Sequence, residues 1–210
     1  MGNGMIQPPT LIEEEKLKAE GYRLIAGIDE VGRGALAGPI AAAAVILPRP
    51  AETPWLSLVR DSKQLTAARR RFLSQRIREG ALGIGIGLVS HRTIDEQGII
   101  MATRLAMRLA VEQLPHQPDF LLIDQMKLPS LSLPQRGIIG GDRLCLSIAC
   151  ASIIAKVMRD KLMVQLDSLC PGYGLARHKG YGTREHLTCL RRSGASPVHR
   201  RSFAPVKKLG

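Results

Sequence analysis

Short apolar runs separated by glycine, proline and charged residues dominate the first two thirds of the chain. Four of them cover residues 24–29, 38–47, 81–89 and 119–124, and a shorter fifth covers residues 138–142. Unbroken apolar runs of this length are typical of strands that are buried on both faces of a sheet. We therefore predict a strand at each run, with the first two strands paired as a hairpin.

The run at residues 81–89 alternates glycine with large aliphatic residues. Gly83, Gly85 and Gly87 fall on one face of the predicted strand, and leucine and isoleucine fall on the other. A strand face without side chains allows another backbone to approach closely. We expect another backbone or a helix to pack directly on this glycine face.

Helical periodicity fills most of the intervals between the predicted strands. Thr66 has the residue type and position of an N-cap for the second helix. The predicted helices cover residues 11–20, 67–79, 90–97, 98–114 and 147–169. Strands that alternate with helices in this way predict an α/β fold with helices packed on a sheet.

The composition divides the chain into three parts. Residues 1–10 contain glycine and two prolines and predict a disordered N-terminus. Residues 11–169 hold all the predicted strands and form the main α/β unit. Residues 170–210 are rich in glycine, proline and histidine, which indicates a small C-terminal region packed on that unit.

Basic residues outnumber acidic ones by 30 to 18, so the formal net charge is +12. Such an excess favours polyanionic partners, nucleic acid among them, although many basic proteins bind nothing specific. Aromatic residues make up only 3% of the chain. Contact with nucleic acid therefore cannot rely on a broad platform for base stacking.

The sequence gives no indication of a membrane or of an oxidising compartment. Its longest apolar run, residues 39–47, is far shorter than the ~20 residues that a membrane-spanning helix needs. No signal peptide is evident at the N-terminus. The cysteines form no Cys-x-x-Cys pair and are expected to be reduced. We expect a cytoplasmic protein with no membrane role.

Acidic residues stand at or near the ends of three predicted strands. Asp29 and Glu30 end the first run, Asp124 ends the fourth and Asp142 ends the fifth. A single aspartate there is most often a turn or cap residue, but the adjacent pair is a sharper signal. If these strands are neighbours, the carboxylates converge and repel one another unless a divalent cation neutralises them. An all-oxygen set suits Mg²⁺ or Mn²⁺ and, in a basic protein, predicts two-metal hydrolysis of phosphodiesters.

The turn that follows the first two acids has two interpretations. Gly32, Arg33 and Gly34 could form only a tight connection between two strands. Alternatively, backbone without side-chain bulk could approach a sugar-phosphate and its 2′-hydroxyl while Arg33 holds a phosphate. The composition of the turn leaves both interpretations open.

Seven motifs occur in one order along the chain. They are Asp29-Glu-Val-Gly-Arg-Gly34, Asp61-Ser-Lys-Gln-Leu65, Ile123-Asp124, Gly141-Asp142, the run from Ser147 to Lys156 with Arg159-Asp160, His178-Lys-Gly-Tyr-Gly-Thr183, and His199-Arg-Arg-Ser-Phe203. Together these motifs closely resemble the type 2 ribonuclease H family, bacterial ribonuclease HII. The resemblance spans residues 11–206, which is nearly the whole chain.

The resemblance implies a ribonuclease H-like mixed β-sheet flanked by helices, with residues 11–169 as catalytic domain and a C-terminal helical region beside the substrate groove. It implies endonucleolytic hydrolysis of the RNA strand in RNA–DNA hybrids. It also implies incision 5′ to single ribonucleotides embedded in duplex DNA, which leaves 3′-hydroxyl and 5′-phosphate ends. The cofactor would be Mg²⁺ or Mn²⁺, and we expect a monomer.

The resemblance assigns roles to particular residues. Asp29, Glu30, Asp124 and Asp142 match the acids that bind metal and carry out catalysis. The turn of Gly32, Arg33 and Gly34 matches the loop that reads the ribose 2′-hydroxyl at an RNA–DNA junction. Tyr181 matches the tyrosine that packs on the junction sugar, although a packed hinge tyrosine between glycines is the alternative.

Other residues carry weaker expectations. Lys63 could contact a phosphate near the site, or it could lie on the surface without a specific role. His178, Lys179, His199 and Arg200 could line the substrate groove, but structural roles are equally compatible with the sequence. We interpret Ser152 and Lys156 as packing and surface residues of the last predicted helix.

The chain departs from the family pattern at several positions. Gln125 stands where a glycine is usual, and Gly140 and Leu144 stand where two basic residues are usual, so Arg143 is the only nearby substitute. Gly98 replaces a common asparagine. These departures put substrate affinity and the balance between substrate types in question. The C-terminal Val206-Lys-Lys-Leu-Gly210 contains no sliding-clamp motif.

Two other functions fit parts of the sequence. A catalytically silent nucleic-acid-binding module would keep the fold and the basic surface, but it would have no use for four clustered acids. Another metal nuclease of the same fold, such as a junction resolvase or an integrase-like enzyme, would be insensitive to the 2′-hydroxyl.

Overall fold

The computed structural model describes residues 7–48 and 54–208. Within these residues one mixed sheet contains the strands β1 (Ile25–Val31), β2 (Ile40–Ile46), β3 (Gly83–Val89), β4 (Phe120–Asp124) and β5 (Gln135–Ile138). The strand order is β3-β2-β1-β4-β5. β2 is antiparallel to β1 and β3, whereas β4 is parallel to β1 and β5. The predicted fold class and the pairing of the first two strands are confirmed.

Helices flank this sheet and extend beyond it. They are α1 (Ile12–Ala19), α2 (Ala67–Gly80), α3 (His91–Gln97), α4 (Ile99–Glu112), α5 (Gly141–Leu144), α6 (Leu146–Leu169), α7 (Leu175–His178), α8 (Arg184–Ser193) and α9 (Ala204–Lys207). The Thr66 hydroxyl accepts a hydrogen bond from the Arg69 N–H at 3.2 Å, so the predicted N-cap of α2 is confirmed. No helix in the described part of the chain is long and apolar enough to cross a bilayer.

The sheet is the middle layer of the main α/β unit. One face packs against α4 through a cluster that includes Ile28, Ile40 and Met107. The other face packs against α2 and α6 through a second cluster that includes Leu73 and Ile153. Residues of β2 contribute to both clusters in alternation, and the whole strand is buried. This arrangement explains why the second apolar run of the sequence is continuous.

The glycine face of β3 is covered by α4, as the alternating sequence predicts. A Cβ atom at Gly85 would lie 1.9 Å from the Ala110 carbonyl oxygen, and one at Gly87 would lie 1.9 Å from the Ala106 carbonyl oxygen. The helix backbone therefore occupies the space that side chains would need. Glycine at these positions is a packing requirement of the fold.

We expect Gly87→Ala to destabilise the protein by at least about 1–3 kcal/mol, because the added methyl group would overlap the backbone of α4. Urea unfolding followed by circular dichroism measures this loss. Leu88→Ala on the same strand is the matched control, since Leu88 is 41% exposed on the opposite face and its truncation should cost well under 1 kcal/mol, about 0.5 kcal/mol. Equal losses in the two variants would contradict the proposed packing requirement.

Two predictions of local structure are wrong. Residues 138–142 are not a strand, because β5 ends at Ile138 and Asp142 lies on the short helix α5. The turn between them places Gly140 at φ +68°, a conformation that breaks extended backbone. The predicted disorder at residues 1–10 falls mostly outside the described part of the chain. It is wrong at Thr10, which exchanges backbone hydrogen bonds of 3.0 Å with Leu144 and Leu146.

The C-terminal region packs on the second half of α6 and on the chain that leaves β1. A separate apolar cluster joins Met163 of α6 to Leu36 and Ala37 and to Leu175 and Leu190 of the C-terminal helices. Residues of the turn after β1 therefore share a core with the C-terminal region. This contact brings Tyr181 to the edge of the sheet where the acids lie.

Candidate active site

The strand order brings the predicted acids to one edge of the sheet. β1 and β4 are adjacent and parallel, and Ile28 lies opposite Ile123, so the next residues, Asp29 and Asp124, are neighbours. Asp142 follows β5, which is the next strand along. Asp124 Oδ1 accepts a hydrogen bond from the Gly141 N–H at 2.7 Å, and this bond ties α5 to the end of β4.

A cleft of about 410 Å³ opens above these strand ends. Five of the predicted site residues line it, namely Asp29, Glu30, Lys63, Asp124 and Tyr181. Asp142 is joined to this group through Lys63, whose Nζ lies 3.1 Å from Asp142 Oδ2. Three of the four acids, all except Glu30, are at least nine-tenths buried.

The acids repel one another at the floor of the cleft. Burial raises the pKa of Asp29 well above its ordinary value, and the charges of Glu30 and Asp124 raise it further. Burial likewise raises the pKa of Glu30, with Arg33 opposing the shift. Burial also raises the pKa of Asp124, and Asp142 adds to the shift while the Gly141 N–H opposes it. The site therefore holds more negative charge than its own cations neutralise.

The donor set of the cleft fits a hard divalent cation. Its candidate ligands are carboxylate oxygens, which Mg²⁺ and Mn²⁺ prefer, and the charge repulsion among them is what such an ion relieves. Among residues 7–48 and 54–208, no three His, Cys, Asp or Glu side chains already stand in an arrangement that holds a metal ion. Asp29 Oδ1 instead accepts a hydrogen bond from the Glu30 N–H at 2.8 Å, and Asp142 Oδ2 accepts one from Lys63 Nζ at 3.1 Å.

The two glycines of the predicted reading loop differ in what the fold demands of them. Gly32 has φ +99°, and a Cβ atom there would lie 2.2 Å from Nε of Arg159. Gly34 is exposed, has no positive φ, and would place a Cβ atom in open space with no neighbour within 4 Å. Backbone conformation and close contacts within the protein require glycine at position 32. They do not require it at position 34.

Two buried arginines hold the backbone of this loop. Arg159 donates to the Pro39 carbonyl at 2.8 Å and to the Ala37 carbonyl at 3.1 Å. Arg200 donates to the Arg33 carbonyl at 2.9 Å and to the Gly38 carbonyl at 3.0 Å. Both arginines are fully buried, so they hold the loop from the protein interior, while Gly34 stays exposed.

Arg33 and Tyr181 both lie beside the acids, because Arg33 pairs with Glu30 and Tyr181 lines the cleft. Arg33 Nη1 lies 3.5 Å from Glu30 Oε1, and its side chain is partly exposed. The Tyr181 ring sits over the Arg159 guanidinium at 5.6 Å, and its backbone forms an isolated β-bridge with Ala35. The tyrosine is thus joined to the loop that contains Arg33 through both backbone and side chain.

The structure separates the two weaker candidates. The side chain of Lys63 is 79% exposed beside the acids, and its pKa is raised because the hydrogen bond and charge of Asp142 outweigh the opposing effect of partial burial. Arg143 is exposed outside the cleft lining, and its Nη2 would lie 2.7 Å from a Cβ atom at Gly140. Lys63 is therefore placed to contact a ligand in the cleft, whereas Arg143 folds back over its own turn.

The cleft contains polar residues that the sequence interpretation missed. The hydroxyls of Ser62 and Ser152 are hydrogen-bonded at 2.9 Å. The Ser152 hydroxyl also counteracts part of the rise in the Asp29 pKa. Lys156 lines the cleft and pairs with Asp160 at 2.7 Å. Interpreting Ser152 and Lys156 only as packing and surface residues was therefore incomplete. Their spacing of four on α6, one turn apart facing the acids, was the available signal.

The remaining candidates lie away from the cleft. His199 and Arg200 are buried in the C-terminal region, and His178 is hydrogen-bonded to the Tyr173 carbonyl at 2.7 Å. Lys179 lines a neighbouring groove together with Arg71 and residues of α6. None of the four is among the residues that line the cleft.

Backbone geometry accounts for the glycine that is usual at position 125 in the family pattern and for Gly98 in this chain. Gln125 has φ +56°, so the position after the third acid requires a left-handed conformation that glycine adopts without strain. Gln125 lines the cleft in that conformation. Gly98 has φ +79° at the junction of α3 and α4, where glycine again fits the backbone.

The mixed sheet with its carboxylate cleft places the chain in the class of α/β proteins with a ribonuclease H-like fold. The family model described as Ribonuclease HII matches residues 26–206. The chain belongs to the ribonuclease HII family.

Individual relatives agree with this assignment. Ribonuclease HII of Dehalococcoides mccartyi is 55% identical over 201 residues, which cover 96% of this chain and 95% of that protein. Among solved structures, ribonuclease H2 from Pyrococcus horikoshii has a TM-score of 0.74 at 23% identity and covers 89% of this chain and 97% of its own. Bst-RNase HIII in complex with Mn²⁺ has a TM-score of 0.67 at 23% identity, covering 89% of this chain and 68% of its own. At these identities the two structures support the fold.

Proposed function

We propose that this protein hydrolyses the RNA strand of RNA–DNA hybrids and incises duplex DNA 5′ to single embedded ribonucleotides. Membership of the ribonuclease HII family supports the activity in general. The observation that carries the finer proposal is Gly34, an exposed residue beside the acidic cleft whose missing side chain serves no purpose within the protein. A substrate sugar at that position accounts for it, because an added methyl group would occupy the space of a ribose 2′-hydroxyl contact.

In this proposal the residues in and beside the cleft fall into groups with different roles. Asp29, Glu30, Asp124 and Asp142 would hold two Mg²⁺ or Mn²⁺ ions. When bound, such ions activate the attacking water and stabilise the leaving oxygen, which leaves 3′-hydroxyl and 5′-phosphate ends. Gly32, Arg33 and Gly34 present backbone and a guanidinium to the junction nucleotide, and Tyr181 packs on its sugar. Lys63 contacts a nearby phosphate.

Cleavage of three matched duplexes tests the proposal. With Mg²⁺ or Mn²⁺ supplied, we expect incision 5′ to the ribonucleotide in DNA with one ribonucleotide, cleavage of the hybrid, and no cleavage of all-DNA duplex. Equal cleavage of the all-DNA duplex would favour a nuclease that ignores the 2′-hydroxyl. Tight binding of all three without cleavage, by well-folded protein, would indicate a binding module instead.

A further inference from the structure

Three histidines of the C-terminal region form one cluster behind Tyr181, in which one pair is stacked and one pair is hydrogen-bonded. The His178 and His186 rings stack with their centroids 4.3 Å apart. The His186 and His199 rings meet through their Nε2 atoms at 2.9 Å. His186 and His199 are fully buried, and none of the three lines the cleft. The function proposed above leaves this cluster without a role.

The backbone fixes the proton positions in the buried pair. The Ser196 N–H points at Nδ1 of His199 at 3.0 Å, and a backbone amide can only donate. Nδ1 of His199 is therefore the acceptor, and a neutral His199 carries its proton on Nε2. That proton is donated to Nε2 of His186, which leaves the proton of His186 on Nδ1. This last N–H donates to the Tyr181 carbonyl at 3.0 Å.

The same reasoning applies to the third histidine. The Gly180 N–H donates to Nδ1 of His178 at 3.3 Å, so the proton of His178 lies on Nε2 and is donated to the Tyr173 carbonyl at 2.7 Å. The cluster thus holds the N–H of Gly180 and the carbonyl of Tyr181. These are backbone groups of the tyrosine and of the residue before it.

The arrangement requires neutral histidines. A second proton on His186 would set two N–H groups against each other at 2.9 Å. A second proton on His199 would set its Nδ1–H against the Ser196 N–H at 3.0 Å. Burial, together with the smaller effect of the adjacent His186, lowers the pKa of His199 to about 4. Burial also lowers the pKa of His186, although its bond to Tyr181 opposes the shift. Both rings are therefore neutral at pH 7.

We propose that His186 is a positioning residue for Tyr181, held in a single tautomer by His199 and Ser196. The ordered relay Ser196–His199–His186 fixes the Tyr181 carbonyl, and His178 fixes the preceding amide, so the ring is presented to the cleft in one orientation. The catalytic part of this inference rests on the function proposed above, in which Tyr181 packs on the junction sugar. The assignment of the histidine tautomers depends only on the hydrogen bonds and not on the proposed function.

Long-range ¹H–¹⁵N spectra of histidine-labelled protein at pH 7 test the tautomers without any substrate. We expect His199 with its proton on Nε2 and His186 with its proton on Nδ1. Single His→Asn variants at positions 91, 116, 178, 186 and 199 assign the signals, and His116, which is exposed and outside the cluster, is the control. A charged ring in the pair, or His199 protonated on Nδ1, would overturn the relay.

Steady-state cleavage of duplex DNA with one ribonucleotide tests the positioning role. His186→Leu removes the donor to Tyr181, and we expect kcat to fall about 10-fold with KM changed less than about 2-fold, because misplacement of a catalytic contact reduces turnover. His186→Asn retains an N–H donor near the position of Nδ1 and should stay within about 3-fold of wild type. His116→Asn should leave both constants unchanged.

Several outcomes would contradict the positioning role. Wild-type kcat in His186→Leu would do so, and so would a loss in His186→Asn as large as in His186→Leu. If His186→Leu does not fold, the kinetics of His186→Asn and the histidine spectra of the wild-type protein test the positioning role instead. Wild-type protein that fails to cut would contradict the proposed function instead, and the tautomers would still test the relay separately.

Discussion

Asp29→Asn is expected to abolish cleavage, with a fall in kcat of at least about 10³-fold, while binding of the duplex is retained. The carboxylate belongs to the proposed metal-binding set, and metal assistance supplies several kcal/mol of transition-state stabilisation, at about 1.4 kcal/mol for each factor of ten. The substitution changes one charged oxygen to an amide without altering the shape of the side chain. Single-turnover cleavage and fluorescence anisotropy with the same ribonucleotide-containing duplex measure the two quantities.

The same substitution should stabilise the metal-free protein at neutral pH. Burial and the neighbouring charges of Glu30 and Asp124 raise the pKa of Asp29 in the folded state, so its charged form opposes folding. For an acid with a raised folded pKa, this cost is absent below the unfolded pKa and grows as the pH rises through the folded value. We expect the melting temperature of Asp29→Asn in EDTA to exceed that of wild type by at least about 2 °C at pH 7. The gap should close as the pH approaches 4, close to the ordinary value of 3.8 for an aspartate.

Mg²⁺ should reverse this ranking, because a bound cation stabilises only the folded wild-type site. Asp119→Asn is the matched control. Asp119 accepts backbone hydrogen bonds from Arg23 at 2.7 Å and Leu24 at 3.0 Å, far from the cleft, so its substitution should reduce stability and leave cleavage intact. Cleavage by Asp29→Asn within about 10-fold of wild type would exclude Asp29 from the proposed metal set.

Much of the sheet could be predicted because its strands have local signatures. The runs at β1, β2, β3 and β4 are apolar and bounded by turn residues, and the glycine alternation in β3 correctly predicts a closely packed neighbour. The position of Asp142 could not be predicted in the same way. Ile139 is apolar yet 84% exposed, so the run at residues 138–142 has the pattern of a buried strand without being one.

Contacts between distant segments set the limits of prediction at the site. The adjacency of Asp29 and Asp124 depends on β4 pairing with β1, and no local pattern specifies that pairing. Arginine side chains usually lie at the surface. Arg159 and Arg200 are fully buried instead, because the carbonyls of the loop after β1 accept their hydrogen bonds. The histidine cluster depends in the same way on how the C-terminal segments fold together.

Gly34→Ala is expected to reduce kcat/KM on a duplex with one ribonucleotide by about 100-fold and to leave the fold unharmed. The residue has no positive φ, and its added Cβ atom would meet nothing within 4 Å, so the protein loses no contact. Alanine at such a position reduces the freedom of the unfolded chain and should leave the melting temperature unchanged or slightly higher. A loss of activity would therefore arise from the substrate side, where displacement of the reacting bond by about 1 Å can reduce the rate about 100-fold.

Gly32→Ala separates this effect from damage to the loop. Gly32 has φ +99°, and its added methyl group would overlap the Arg159 guanidinium, so this variant should lose both stability and activity. If a substrate sugar approaches Gly34, cleavage should fall in both variants, whereas the melting temperature should fall only in Gly32→Ala. Wild-type cleavage by Gly34→Ala would show that no sugar approaches this residue closely. A large drop in its melting temperature would instead mean that the glycine serves the fold.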